Sequence, residues 1–409
     1  MRILFLVRQL PWPPVSGARL RDWQHVRAAA RIGQVDILSI FRSRSRAARP
    51  AAIEASLGQW CALEELESEP GSATGRAAPV QGLNWLDDPD GHPSDANWNP
   101  VSHEHLRRYA EANPHDLVVI EDIALWRYRQ ALPEDACVVL DHHNIQSDLD
   151  AELATLPGVS PPERARYARA SAAMRRRQMQ AAPALHLVCS EAERHKLAAL
   201  LPSTARICVI ENTIDVNAAG TRRRVDAGHD SGPLLFFPGV LNYPPNRDAV
   251  TRLVSAILPG VQQTLPGARL SILGRGSAAI EESVTRSPSV RFAGEVEDVS
   301  PYFAAATLMC VPLRAGGGTR FKILEAFAWR LPVVSTPKGC ENLNVTDGEH
   351  LMIADTDAEI INAVIAIHDS EELRKRLAHN GHELVCSQYS HEVVHKKFFE
   401  LIQYITKGI

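Results

Sequence analysis

Short apolar segments alternate with helix-length segments along most of this 409-residue chain, and this alternation limits its fold more than any other feature. The first half contains RILFLV, VDILSIF, DLVVIED, ACVVLDHHN, ALHLVCS and ARICVIENT. The second half contains LLFFPG, ARLSILGRG, VRFAGEV, LMCVPL, LPVVST and HLMIAD. Continuous apolar strands separated by helices indicate parallel sheets that are buried on both faces. The chain is therefore predicted to be an α/β protein.

The two series are separated by a polar connector, ENTIDVNAAGTRRRVDAGHDSGP. We predict two Rossmann-like domains, residues 1–215 and 216–390, and a final helix at 391–409 that crosses back to the first domain. Ligands bind beyond the carboxyl ends of the strands in open parallel sheets, so two such domains facing each other would share one cleft. Little regular structure is predicted for residues 45–99, which are rich in Pro, Gly, Ser and Asp.

The composition argues against several classes of protein. The formal net charge of -4 gives no general attraction to nucleic acid or to an anionic membrane. The seven cysteines lack C-x-x-C spacing, which argues against a zinc site and a disulfide framework and fits a reducing compartment. No run approaches the ~18 apolar residues of a membrane-spanning helix, and the apolar amino-terminal segment is too short for a signal peptide. We therefore expect a cytoplasmic protein.

The segment RAGGGTRFKILEAFAWRLP, residues 314–332, places three glycines between a strand-like segment and a helix. The first N–H groups of a helix lack partners and the macrodipole is positive there, so this turn suits an anion such as a phosphate. Arg320 and Lys322 stand at the helix start, where cations oppose the macrodipole unless an anion is bound. Glu325 could accept hydrogen bonds from a diol such as a ribose. The structural alternatives are an ordinary tight turn and a solvent-exposed carboxylate.

This segment, extended to LMCVPLRAGGGTRFKILEAFAWRLPVVSTPKGCENL, resembles the nucleotide-sugar-binding signature of family 4 retaining glycosyltransferases, in a branch with a GGGTRxKxLE donor turn. Other segments fall in the family's order: MRILFLVRQLPWPPVSGARLR, DHHNIQSDLDAEL, LVCSEAERHKL, VIENTID and LLFFPGVLNYPPNRDAVTRL. The resemblance covers nearly the whole chain except residues 45–99. It implies the GT-B fold, in which two Rossmann-like domains with parallel sheets face a central cleft.

The resemblance also implies an activity. The expected enzyme is a retaining, hexosyltransferase-type glycosyltransferase that moves a sugar from a nucleotide-diphosphate sugar to an acceptor in glycan, polysaccharide or glycoconjugate biosynthesis. No side-chain nucleophile is evident beside the donor turn, so we expect front-side substitution in which the departing phosphate helps to deprotonate the acceptor. Two alternatives are a nucleotide-sugar epimerase of similar shape and a non-catalytic partner that binds a nucleotide sugar.

The resemblance assigns roles to residues of the donor turn. Glu325 matches the acid that binds the ribose hydroxyls of the donor. The sequence departs from the family at Gly317, where a glutamate usually contacts the transferred sugar, so only the backbone of Gly317 is expected to line the donor. Backbone N–H groups would hold the sugar hydroxyls and the diphosphate, and these belong to Gly318, Thr319, Arg320 and Phe321.

A second departure concerns positive charge. Family members commonly carry an Arg and a Lys after the strand LLFFPG, and here Val240 and Asn246 occupy those places. Arg320 and Lys322 are the predicted replacements, and both are predicted to be catalytic because they would stabilise the charge of the leaving diphosphate. Arg247 is a weaker candidate, since Asn246 is predicted to be a helix N-cap. With the diphosphate held in this way, neither a metal ion nor another cofactor is expected.

Further residues are predicted to line the site. Gly17 lies between the first strand and its helix, and Arg275 and Val296 lie in loops after strands of the second domain, although any Rossmann-like domain could have such loops. His143, in VVLDHHN, matches the family's histidine near the primary hydroxyl of the sugar and is a predicted catalytic residue. Adjacent strand residues point to opposite faces, so His142 and His143 are not expected to bind one metal ion.

The sequence defines the acceptor less well. Arg19 and Arg21 could bind an acidic acceptor or face solvent, and both alternatives stay open. The basic segment RARYARASAAMRRRQMQ has one aromatic residue, too few for a nucleic-acid stacking platform, so no nucleic-acid partner is expected. The same helix could touch anionic lipid at the inner face of the membrane if the acceptor is lipid-linked rather than a glycan or a small molecule.

Overall fold

The structure, a computed structural model, describes residues 1–14, 16–41, 49–66, 88, 91–219, 232–276 and 287–407. Part of the region at 45–99 and the centre of the polar connector, residues 220–231, lie outside the described residues. The chain forms two compact units. Unit 1 comprises Met1–Ala151, Ala165–Glu211 and Val394–Ile409, and unit 2 comprises Glu152–Arg164 and Asn212–Val393.

Unit 1 contains a parallel sheet of seven strands in the order β3-β2-β1-β4-β5-β6-β7. The strands are β1 (Arg2–Val7), β2 (Gln34–Ser39), β3 (Leu57–Ala62), β4 (Leu117–Glu121), β5 (Val138–Asp141), β6 (Leu185–Val188) and β7 (Ile207–Val209). The central strands β1, β4 and β5 are buried almost throughout, as continuous apolar strands predict. The direction of strand order changes between β1 and β4, so the carboxyl ends of these strands border the crevice where such sheets bind ligands.

Unit 2 contains a parallel sheet of six strands in the order β10-β9-β8-β11-β12-β13. The strands are β8 (Leu234–Pro238), β9 (Arg269–Leu273), β10 (Val290–Phe292), β11 (Leu308–Val311), β12 (Val333–Ser335) and β13 (Met352–Ile353). Each lies within an apolar segment predicted from the sequence. The predicted α/β class with two parallel sheets is confirmed.

Helices connect the strands in both units. The first half has α1 (Gly17–Ala29), α2 (Pro100–Ala112), α3 (Gln146–Leu153), α4 (Pro161–Gln180), α5 (Glu191–Ala198) and α6 (Val216–Ala219). The second half has α7 (Pro244–Arg252), α8 (Leu258–Thr264), α9 (Ser300–Ala305), α10 (Phe321–Ala328), α11 (Pro337–Cys340), α12 (Asp357–Asp369), α13 (Glu371–Gln388) and α14 (His391–Lys407). Short 3-10 helices occur at Ala51–Ser56, Leu63–Glu65, Pro93–Asn97 and Ile123–Ala131.

The last helix, α14, belongs to unit 1 from Val394 onward. Its apolar side contributes Val394, Phe398, Ile402 and Ile405 to the core of that unit, and the Phe398 ring stacks on His25 at a centroid distance of 4.7 Å. In unit 2 the main cluster of buried side chains lies around the six-stranded sheet. The seven cysteines are free thiols, and none of the described helices has the length and apolar character required to span a bilayer.

Candidate active site

The glycine turn connects β11 to α10, as the sequence predicts. The turn is anchored by the apolar side of α10, which is buried in the core of unit 2. Gly316 has φ 141° and Gly318 has φ 67°, backbone conformations that favour glycine. A Cβ atom at Gly316 would also lie 2.7 Å from a guanidinium nitrogen of Arg320, so a side chain there would displace that guanidinium as well as strain the backbone.

Several polar groups of the turn have no partner in the described part of the chain. The backbone N–H groups of Gly317, Thr319 and Arg320 donate to no described acceptor, whereas the predicted donor N–H of Phe321 is already used by the carbonyl oxygen of Thr319 at 3.1 Å. Thr319 Oγ1 and Arg320 Nε are buried and also lack a hydrogen-bond partner among the described residues. Buried polar groups are almost always paired, so this set indicates a ligand site. Its position before the first turn of α10 favours an anion.

Arg320 is folded back onto the turn. It is 7% exposed, and its guanidinium donates to the carbonyl oxygens of Gly317 and Gly318, the latter at 3.0 Å. A weaker contact of 3.4 Å joins it to the carbonyl oxygen of Lys338. No described carboxylate pairs with Arg320, so its charge remains uncompensated at the start of α10. The side chain therefore shapes the turn as well as making it positive.

Lys322 is half-buried beside β8. Its Nζ donates to Asn246 Oδ1 at 3.0 Å and lies 3.9 Å from the centroid of the Phe237 ring. Burial, followed by repulsion from Arg320, lowers the pKa of Lys322 to about 7. A bound anion would favour the protonated ammonium and raise this pKa. Among the described residues no carboxylate lies within ion-pair distance of Lys322.

Glu325 lies one turn into α10 and is half-buried. Burial raises the pKa of its carboxyl to about 7, and the attraction of Lys322 only partly opposes this shift. No hydrogen-bond donor or ion-pair partner reaches it within the described ranges. The carboxylate is therefore free to accept hydrogen bonds from hydroxyl groups of a ligand.

Asn246 does not have the role predicted for it. The helix α7 begins at Pro244 with Tyr243 as its N-cap, so Asn246 lies inside the first turn and is not the cap. Its side-chain amide donates to the carbonyl oxygen of Val240 at 2.9 Å while its oxygen accepts from Lys322. The prediction was wrong because proline at the first helical position starts the helix three residues earlier.

The other predicted residues of unit 2 lie in exposed or half-buried loops. Arg275 is 3.4 Å from a carboxylate oxygen of Glu295, and both side chains are largely exposed. Val296 is partly buried against the core of unit 2. Neither residue has a hydrogen-bond or ion-pair contact with the glycine turn in the described structure. Their proposed contacts with the donor remain predictions.

Sequence reasoning missed an acidic contact to the glycine turn. Glu152, which groups with unit 2, accepts from the N–H of Gly316 at 3.0 Å through Oε2. Its Oε1 lies 2.5 Å from Nζ of Lys338, which is also 2.5 Å from Glu341. Glu152 and Gly316 are 164 positions apart, so no local pattern could have paired them.

In unit 1, Arg21 is neither exposed nor available to an acceptor, which corrects both alternatives raised by the sequence. It is 2% exposed, and its guanidinium makes two hydrogen bonds of 2.6 Å to the buried Asp141. A third hydrogen bond of 2.8 Å reaches the carbonyl oxygen of Ile210. Arg19 is half-buried in the first turn of α1, which begins at Gly17. Arg19 and Arg21 are close in sequence, but residues two positions apart on a helix point in different directions, and Arg21 points into the core.

His143 lies among buried carboxylates of unit 1. Its Nε2 is 2.9 Å from Asp22 Oδ1, 3.5 Å from Glu121 Oε2 and 3.6 Å from Asp141 Oδ2. Although burial opposes protonation, Asp22 and Glu121 hold the pKa of His143 well above its ordinary value. Burial raises the pKa of Asp22 to about 6. The sequence signalled His143, but the acids around it come from β4, β5 and α1 and were not identified.

The neighbouring His142 differs sharply from His143. It is fully buried, its Nε2 lies 3.0 Å from Nδ1 of His186, and burial lowers its pKa well below the ordinary value. In the described structure, two groups have ligand atoms close enough to hold a metal ion: Asp22, Glu121 and His143, and His25, Glu121 and Asp141. Both lie in unit 1, and no such group was found at the glycine turn in the part of the chain described.

These features define the fold class. Two parallel α/β sheets, with a glycine turn at the carboxyl end of β11, correspond to the GT-B fold of glycosyltransferases. Sucrose-phosphate synthase (tll1590) from Thermosynechococcus elongatus superimposes with a TM-score of 0.74 at 15% identity and covers 100% of both chains. The Anabaena protein Alr3699/HepE in complex with UDP and glucose gives a TM-score of 0.63 at 15% identity, covering 99% of this chain and 100% of that one. The predicted GT-B fold is confirmed.

Sequence comparison locates the family likeness in unit 2. Residues 232–370 match the family model Glycosyl transferases group 1. The lipopolysaccharide core biosynthesis glycosyltransferase LpsE of Rhizobium meliloti (strain 1021) is 34% identical over 145 residues, which cover 34% of this chain and 42% of that protein. The chain spans less than half the length of the curated relatives it matches. The residues that match the family model include all of the glycine turn and α10.

Proposed function

We propose that this protein is a glycosyltransferase that transfers a sugar from a nucleotide-diphosphate donor to an acceptor. The observation that carries the proposal is the glycine turn, where three N–H groups without an acceptor among the described residues, and the charge of Arg320 without a described carboxylate partner, stand before α10. A diphosphate bound there would accept hydrogen bonds from these N–H groups. Lys322, one residue into the helix, would add a second positive charge.

The donor would extend along α10. Glu325 would accept the ribose hydroxyls, because its carboxylate is half-buried and has no partner in the described structure. Lys322 would supply the charge that the family places at position 246, since its Nζ lies 3.0 Å from the Asn246 side chain. Together with Arg320 and the N–H groups, it would stabilise the negative charge that develops on the leaving diphosphate. In this arrangement the diphosphate needs no metal ion.

We propose that transfer retains the anomeric configuration. The bond from the anomeric carbon to the donor phosphate oxygen would break while the acceptor oxygen bonds to the same face of that carbon. The acceptor proton would move to an oxygen of the departing diphosphate. His143, a cation surrounded by acids in unit 1, would contact the transferred hexose, and its charge would remain fixed during the reaction.

The relatives suggest the class of donor and acceptor. The solved Anabaena protein binds UDP and glucose, and LpsE is named for biosynthesis of lipopolysaccharide core. We therefore propose a UDP-sugar as the first donor to test, and a glycan or lipid-linked acceptor bound at unit 1. Arg19, Gly17 and the basic helix α4 are the candidates for acceptor and peripheral membrane contacts.

Product analysis with a panel of nucleotide sugars tests the proposal. Purified protein is incubated with UDP-, GDP-, ADP- and dTDP-sugars, with and without a glycolipid extract as acceptor, and the products are separated by chromatography. Acceptor-dependent release of nucleoside diphosphate is expected. An isomerised donor would identify an epimerase, and binding without turnover would identify a non-catalytic partner; either result rejects transfer. Lys322→Ala should abolish release, whereas Lys375→Ala, an exposed lysine on α13, should not.

A further inference from the structure

One amide of the glycine turn is already occupied by the protein. The N–H of Gly316 donates to Glu152, whereas those of Gly317, Thr319 and Arg320 have no described acceptor. The Glu152 side chain is 25% exposed, so a ligand at the turn can reach it. A carboxylate thus stands at the first residue of a turn whose remaining N–H groups are available to an anion.

This carboxylate is held firmly. Each of its oxygens accepts one hydrogen bond, from Gly316 and from Lys338, and Lys338 is fixed in turn by Glu341. An ionised carboxylate has about four acceptor sites, so Glu152 retains capacity for a further donor. The geometry therefore presents a fixed, negatively charged hydrogen-bond acceptor.

The charge of Glu152 determines what can lie beside it. A phosphate next to this carboxylate would be repelled, so a diphosphate would use the N–H groups of Gly317, Thr319 and Arg320 instead. Glu325 lies beyond those groups, inside α10, and would take the nucleoside. The part of the donor near Glu152 would then be the sugar, which must offer a hydrogen-bond donor and carry no negative charge.

We propose that Glu152 is a specificity-determining residue that accepts a hydrogen bond from a hydroxyl of the transferred sugar and selects neutral sugars over uronic acids. This proposal rests on the proposed function, because it requires a nucleotide sugar at the glycine turn. It assigns a contact with the donor to Glu152, a residue of unit 2 that lies outside the sequence of the glycine turn.

Calorimetric titration with UDP, UDP-glucose and UDP-glucuronic acid tests the role of Glu152. Glu152→Gln keeps the shape of the side chain and an oxygen for the Gly316 N–H but removes the charge. We expect UDP affinity to stay within about twofold, because UDP lacks the sugar, while UDP-glucose affinity falls about tenfold. The preference for UDP-glucose over UDP-glucuronic acid should shrink. Glu341→Gln is the matched control. It removes the other carboxylate that pairs with Lys338 but does not contact the turn, and it should change none of these values.

Two results would overturn the role of Glu152. If Glu152→Gln weakens UDP and UDP-glucose equally, the residue only orders the glycine turn. If the variant leaves both affinities and the discrimination against glucuronate unchanged, it has no contact with the sugar. Failure of the wild-type protein to bind any of UDP, GDP, ADP or dTDP is a different outcome, because it rejects the proposed function itself.

Discussion

Affinity for a nucleoside diphosphate should pass through a maximum near pH 7 and fall on both sides. Binding as proposed needs Lys322 protonated and Glu325 ionised. Burial lowers the pKa of Lys322 to about 7 and raises the pKa of Glu325 to about 7, so the two charges coexist only around neutrality. If only Lys322 mattered, affinity would fall as pH rises, and if only Glu325 mattered, affinity would fall as pH decreases.

The size of the effect follows from these two titrations. With both pKa values near 7, the fraction of molecules carrying both charges is about one quarter at pH 7 and about one twelfth at pH 6 or pH 8. Apparent affinity should therefore fall about threefold over the first pH unit on either side of neutrality, and more steeply beyond it. Attraction between Lys322 and Glu325 would broaden the maximum without moving its centre.

Calorimetric titration of UDP between about pH 5.5 and 8.5, at constant ionic strength, measures this profile. Lys322→Met should remove the decrease at high pH, and Glu325→Gln should remove the decrease at low pH as well as weaken binding at pH 7. The phosphate of UDP titrates identically in all three experiments, so ratios of variant to wild-type affinity isolate the protein groups. Ratios that do not vary with pH would refute the assignment of both residues to the diphosphate and ribose sites.

Three further predictions concern single residues. His143→Gln should lower turnover while nucleoside-diphosphate affinity stays within about twofold. Because the pKa of His143 is raised in the folded protein, its stabilising contribution is complete below about pH 6.5 and is lost as pH rises through the raised value, so the melting-temperature difference from wild type should shrink at high pH. Arg320→Ala should weaken UDP binding and increase proteolysis within the glycine turn, and unchanged values for both would show that the guanidinium neither orders the turn nor acts on the ligand. Arg21→Met should cost about 3–5 kcal/mol in the free energy of unfolding by leaving Asp141 buried without its partner, measured by urea denaturation, and Asp141→Asn in the same protein should restore part of it.

Strand positions could be predicted from the sequence because buried parallel strands are continuous apolar runs. The exception is β3, Leu57–Ala62, whose sequence LGQWCA is half exposed and contains Gly and Gln. Within the described sheet it is an edge strand paired with β2. The N–H of Gln59 donates to the carboxylate of Asp36 at 2.6 Å and helps to hold it there. A contact between residues 23 positions apart leaves no periodic signal in the sequence.

The part of the candidate site that could be predicted consists of residues close to one another in the sequence. The glycines, the start of α10 and the side chain of Glu325 follow one another along the chain, so helix geometry alone relates them. The contacts of Glu152 with Gly316 and of Arg21 with Asp141 join residues 164 and 120 positions apart. Only the packing of whole elements creates such contacts. This is why Arg21 was expected either to bind an acidic acceptor or to face solvent, and why Glu152 was not predicted at all.

The two units differ in whether their buried charged side chains have partners of opposite charge. In unit 1, Arg21 is paired with Asp141, and His25 and His143 lie against Glu121, so these charges compensate one another inside the protein. At the glycine turn the described residues provide no such compensation. Arg320 has no carboxylate partner among them. Burial lowers the pKa of Lys322 and raises the pKa of Glu325, and both shifts favour the neutral side chain.

Uncompensated buried charge is unfavourable in the unbound protein, and replacing such groups by apolar ones of similar size is often stabilising. We therefore expect Lys322→Met to raise the melting temperature at neutral pH even as it weakens diphosphate binding. Differential scanning calorimetry with and without UDP measures both effects. A ligand that brings negative charge to Lys322 and hydroxyl groups to Glu325 would supply the partners that these side chains do not have among the described residues. UDP should therefore stabilise the wild type more than the variant. A variant that melts lower than the wild type in the absence of nucleotide would show that Lys322 serves the fold through Asn246 and Phe237, not the ligand.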